Sequence, residues 1–179
     1  MFRESVSDSS YAVAGSALDA LAKVDANEAL AISKKFESEK NTNMLMAIAQ
    51  IYALHGSDEN NQFFIMLSDK MSGWGKVGFA NVYSEFLKRC SDETINSGLV
   101  VLEKIARTED NRWVRHFGQK GIKDLAQMYS NRIKEISSKI ANMKSPADSE
   151  LKSLEKQLAQ AKIQEQKLKS LHNTLKTPE

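Results

Sequence analysis

Ser10 to Val24 reads Ser-Tyr-Ala-Val-Ala-Gly-Ser-Ala-Leu-Asp-Ala-Leu-Ala-Lys-Val, and Asp25-Ala26-Asn27-Glu28 follows. Its apolar positions recur at helical spacing with small residues between them, which predicts a helix that a neighbour approaches closely. Moved along the chain by 33 positions, the stretch meets a second version of itself. Tyr11 falls on Met44, Ala14 on Ala47, Leu18 on Ile51, Leu21 on Leu54, Asp25 on Asp58 and Leu30 on Phe63. A further step of 33 or 34 carries Ala47 to Ala80, Leu54 to Leu87 and Asp58 to Asp92. A fourth, weaker copy starts near Trp113 and runs through Phe117 and Ile122.

Each copy has one grammar: an apolar helix, a turn with Asp or Ser, then a second amphipathic helix. The turn residues suit helix N-caps, because a short side-chain oxygen there accepts from an otherwise unpaired backbone N–H. Asp25 is the expected cap before Ala26 to Glu37, Asp58 before Phe63-Phe64-Ile65-Met66-Leu67, and Ser91 or Asp92 before Ile95 to Ala106. Gly56, after Leu54-His55, is the expected C-terminal glycine of its helix. No segment alternates with period two over a useful length, so no sheet is expected. Helix pairs at this period predict an all-α, right-handed α-solenoid, since one pair cannot bury its apolar stripe alone. Tetratricopeptide repeats lack support without their tryptophan and proline signature, and the ankyrin-type turn is absent. Shortened HEAT-like or armadillo-like pairs fit best.

From Ile122 the pattern tightens into heptads. Ile122, Ala126, Tyr129, Ile133, Ile136, Ile140 and Met143 step alternately by four and three, as an a/d seam does. Lys144-Ser145-Pro146-Ala147-Asp148 then breaks the helix and restarts it, with Ser145 as N-cap, Pro146 in the first helical position and Asp148 as the acid of a capping box. Leu151, Leu154, Leu158, Ala161, Leu168 and Leu175 continue the seam, interrupted by Glu165 and His172. The break is too short for anything but an antiparallel return. The expected organisation is one domain overall, with HEAT-like repeats over residues 1–121 and a long antiparallel helical hairpin over 122–176, packed on the solenoid or extending it.

The chain has 179 residues, 41% of them hydrophobic, with a formal net charge of +2. That rules out global disorder, and the 8 glycines and single Cys90 rule out collagen-like and disulfide-rich classes. Near-balanced charge argues against a nucleic-acid partner. In the lysine-rich last helix, Glu150, Glu155 and Glu165 interleave with the lysines, as on a solvated face. No run approaches the roughly 20 apolar residues of a membrane span, so no membrane partner is expected. The lone cysteine favours a reducing compartment such as the cytoplasm. The helical pattern starts close to Met1 without a polar cap, so the expectation is a piece of a longer polypeptide, with Met1 added.

Chemistry-bearing patterns are weak. His55, His116 and His172 stand far apart, and none has another His or Cys at ligand spacing. Cys90, flanked by Lys88-Arg89 and Ser91-Asp92, marks a helix end and lacks a neighbouring base. Gly73-Trp74-Gly75-Lys76-Val77-Gly78 resembles a phosphate loop only superficially, without the preceding strand or the Gly-Lys-Ser/Thr ending. No catalytic, cofactor-binding or metal-ligating residue is expected in this chain. Trp74, Trp113 and Phe117 fit either the core or anchors for a protein partner.

Asp8 to Leu18 with Glu28-Ala29-Leu30, and Thr108 to Arg115, resemble repeat starts in the C-terminal helical domain of aminopeptidase-N-like zinc metallopeptidases. The resemblance covers roughly Ser7 to Tyr129. It implies a parent enzyme that removes N-terminal amino acids with zinc held by a His-Glu-x-x-His helix and a downstream glutamate. None of those residues occurs here, nor does the Gly-x-Met-Glu-Asn type loop. What the resemblance implies for this chain is therefore a non-catalytic domain. Its partner is the catalytic domain of the same polypeptide; it walls the chamber that peptide substrates enter and restricts access to it. The alternative is a free-standing α-solenoid that grips a protein partner; self-assembly through the terminal hairpin is a third reading.

Overall fold

The computed structural model describes residues 11–143 and 148–176, and among them it is all helix with no strand. Eight α-helices follow one another: α1 (Tyr11–Val24), α2 (Ala26–Lys35), α3 (Thr42–His55), α4 (Asn61–Lys70), α5 (Gly75–Leu87), α6 (Asp92–Thr108), α7 (Arg112–Ala141) and α8 (Asp148–Lys176). A single 3₁₀ turn, Asp58–Asn60, leads into α4. The expected N-cap Ser145, the first helical position Pro146 and the Asp8–Ser10 start of the quoted stretch lie outside the described residues.

Odd-numbered helices line up side by side: α1 packs on α3, α3 on α5 and α5 on α7. Each even-numbered helix lies against its odd-numbered predecessor, and α6 also packs closely on α7. The small residues of the opening stretch serve this stacking. An added Cβ on Gly15 would stand 3.3 Å from the Ala47 Cβ, so α1 and α3 meet almost backbone to backbone. Leu18, Ile48, Phe64, Phe79, Tyr83, Leu102, Ile122 and Leu125 are fully buried and form one continuous core. At its centre Phe64 stacks on Phe86 at 4.4 Å and on Tyr83 at 4.9 Å, an offset arrangement that aromatic quadrupoles favour. The buried Tyr83 hydroxyl donates to Asn61 Oδ1 at 2.7 Å, which satisfies two core polar groups at once.

Local capping follows the sequence in three places. Asp25 accepts from the Glu28 N–H at 2.9 Å, Ser91 from the Thr94 N–H at 3.3 Å, and Gly56 closes α3 with its N–H on the Tyr52 carbonyl. Gly56 has an ordinary φ of −74°, so space and not left-handedness selects it. A Cβ there would sit 2.6 Å from that carbonyl oxygen. Asp58 does not cap the Phe63 helix. Ser57 turns the chain instead, its N–H donating to Asn60 Oδ1 at 3.0 Å, and Asp58 points to the next turn.

Bonds between neighbouring helix pairs recur at intervals of 31 to 35 residues. Lys70 donates to the Glu39 carbonyl across 31 residues, Asp58 accepts from the Ser91 N–H across 33, and Lys104 meets Asp69 across 35. Arg89 reaches the Leu54 carbonyl across 35 residues, and within one pair Lys76 of α5 holds Glu109 at the end of α6. Only α8 reaches further, with Gln160 on Asp92 across 68 residues and Lys167 on Asn96 across 71.

The last pair is the longest. α7 runs unbroken through Ile122, where the heptads begin, so the fourth repeat copy and the hairpin share one helix. Ile122, Ala126, Tyr129 and Ile136 of α7 are buried with Ala161, Leu168 and Leu175 of α8, while Ile133, Ile140, Leu151 and Leu154 are half-buried. No described helix is long and apolar enough to cross a membrane.

Candidate functional site

Two rows of turns close the helix stack at its opposite ends. The first row contains Gly56–Asn60 and Lys88–Ser91. Here Cys90 is half-buried, its thiol donating to the Phe86 carbonyl at 3.4 Å. Burial, with Asp58 beside it, pushes the thiol up to about 12. It is a protonated, inert thiol at neutral pH, since a nucleophilic cysteine needs the opposite surroundings. Asp58 is held below the usual carboxylate range, chiefly by the Ser91 N–H.

Beside Cys90 lies a pocket of about 300 Å³ lined by Ser91, Asp92, Arg132, Gln157, Gln160 and Ala161. Its one carboxylate is fully engaged. Asp92 Oδ1 accepts the Tyr129 hydroxyl and Oδ2 accepts the Gln160 amide at 2.8 Å. Burial and this carboxylate raise the Tyr129 hydroxyl well above the ordinary tyrosine range, so it stays a donor. The arrangement ties the start of α6 to α7 and α8. Sequence reading overlooked the cluster; its one signal is a tyrosine on the α7 seam, whose hydroxyl must find a partner when the ring is buried.

The second row contains Met71–Trp74 and Glu109–Asn111, joined by the Lys76–Glu109 ion pair. Gly73 takes a positive φ of 49°, so Gly73 to Gly78 forms a turn and the first turn of α5, and its lysine is occupied by Glu109. Arg115 donates to the Glu109 and Asp110 carbonyls and fixes the second turn. Trp74 and Trp113 are 64% and 61% exposed, whereas Phe117 packs partly against the core. Trp113, His116 and Phe117 form an edge-to-face run, at 6.4 Å and 5.7 Å between successive rings.

The three histidines stay apart in role. His55 is the exposed last residue of α3, His116 lies within that aromatic run, and His172 is half-buried where α8 meets α7. Among the described residues no three His, Cys, Asp or Glu stand together as a metal-holding group. The chain matches no family model, no curated protein and no solved structure. Of the stretches quoted for a resemblance above, Tyr11 to Leu18 open α1 and Arg112 to Arg115 open α7.

Proposed function

We propose that this chain is a non-catalytic scaffold, a right-handed α-solenoid of HEAT-like helix pairs whose work is to hold another polypeptide surface. The observation that carries the reading is the recurrence of bonds between successive units, such as Asp58 with Ser91 across 33 residues and Arg89 with the Leu54 carbonyl across 35. Equivalent positions of successive units touch in a stacked repeat and in few other helical folds. The partner that the opening stretch favours is the catalytic part of a zinc aminopeptidase, against which the domain packs and narrows access for peptide substrates.

The test is immunocapture of the native polypeptide from source cells. The expected result is a species several times larger than 20.0 kDa that hydrolyses aminoacyl-anilides in a zinc-dependent way. A 20.0 kDa species without that activity overturns the enzyme context. A free-standing adaptor is then the reading to pursue, and the exposed Trp74 and Trp113 favour it, because exposed tryptophans make good anchors.

A further inference from the structure

Two polar residues, Glu165 and His172, occupy the apolar seam of α8 one heptad apart. The structure satisfies them unequally. Glu165 accepts the Ser130 hydroxyl and the Lys169 ammonium, the latter at 2.7 Å. His172 has both ring nitrogens shut off from solvent, and neither makes a hydrogen bond of good geometry, although the Gln119 backbone lies close enough to favour the protonated ring. Buried Leu168 and Leu175 flank it along the helix, and the Gln119 amide of α7 donates to the Leu175 carbonyl at 3.0 Å. The imidazole therefore sits inside the clasp that fastens the end of α8 to α7.

Among the described residues, the groups that act on the ring are neutral or positive. α7 contributes Lys123 and the Gln119 backbone, and α8 contributes Lys176. The nearest acids along these helices are engaged elsewhere, Asp124 with Lys120 and Glu165 with Lys169, each at 2.7 Å. A neutral imidazole is tolerated here, but an imidazolium meets no free carboxylate among the described residues and little water.

We propose that His172 is a proton-operated latch: neutral, it fills the α7–α8 seam, and protonated, it becomes a third cation beside Lys123 and Lys176 and releases the last turns of α8. Burial first, then Lys176 and Lys123, holds the docked imidazole below its ordinary value, while the Gln119 backbone opposes them. The sign follows. A released ring takes its proton near pH 6.5 and the docked ring only at lower pH. Docking is thus at full strength above that pH, weakens as pH falls through it, and stops weakening below the docked value.

Hydrogen exchange of the full chain, corrected for intrinsic rates, tests this between pH 7.5 and 5.0. Amides of residues 168–176 are expected to lose protection, about tenfold for each unit by which the docked value lies under the ordinary one. Amides of α3 and α5 are expected to hold theirs. His172→Gln should flatten the response. The same loss in that variant overturns the latch. If the variant does not fold, an NMR titration of the His172 ring in the unmodified chain decides. A midpoint below the free-imidazole value supports the proposal, and one at or above it overturns it.

Discussion

At the scale of single residues, the chain disarms the groups that look reactive in sequence. Cys90 is the clearest case. Raised from near 9 to about 12, it carries about a thousandfold fewer thiolates than an ordinary cysteine at a given pH. Alkylation by iodoacetamide at pH 8 should therefore run at least a hundredfold slower in the folded chain than in urea; rates within tenfold of each other would refute the burial argument. Asp58→Ala removes the carboxylate that opposes the thiolate, so labelling should quicken yet stay slower than in the unfolded chain. Asp58 also shows where sequence reading failed. Its spacing copies that of Asp25, which does cap its own helix, yet its carboxylate goes to a backbone N–H 33 residues away. A local pattern cannot reveal a partner supplied by the next unit. Phe117 is similar: its place in the repeat copy fits core or anchor, with core the better fit, and packing against the core separates it from the exposed Trp113.

At the scale of elements, helix separation is set by a few small residues. α6 and α7 approach most closely at Gly118, where an added Cβ would stand 2.8 Å from the Ala106 backbone N and 2.9 Å from the Leu102 carbonyl oxygen. Backbone cannot swing aside, so Gly118→Ala must push two helices apart. The expected loss is about 2–3 kcal/mol in chemical denaturation. Gly98→Ala meets the ends of the Leu87 and Tyr83 side chains at 2.6–2.7 Å, which can shift, and should lose less. Equal losses would show that the α6–α7 spacing is not fixed at Gly118. Helix identity and most caps were legible because they depend on near neighbours: Ser91, Asp25 and Gly56 all act within five residues. The continuity of α7 was harder to read, since repeat and heptad periods overlap around Ile122, and Gly118 and Gly121 just before it can pass for a joint that the helix in fact runs through.

At the scale of the whole molecule, a net charge of +2 conceals an uneven distribution. Residues 1–111 hold 11 Lys and Arg against 16 Asp and Glu, whereas residues 112–179 hold 14 against 7. Lys162, Lys169 and Lys176 fall at heptad steps on one flank of α8, about 10 Å apart along the axis. That spacing matches the screening length at roughly 0.1 M salt. Raising salt from about 20 to 200 mM should increase amide protection in α8 by less than about 1 kcal/mol, with α3 unaffected. A loss of α8 protection would mean that its ion pairs outweigh this repulsion. The same uneven reach appears in the bonds, most of which span one unit while those of α8 to α6 span about two. In kinetic terms, each pair can settle on the one before it as soon as it leaves the ribosome, closing loops of similar size every time. Doubling the loop for α8 adds only about 0.6 kcal/mol of closure entropy. What delays α8 is the need to find α6 and α7 already seated, so it is the natural last step of assembly and the first place where the finished chain comes undone.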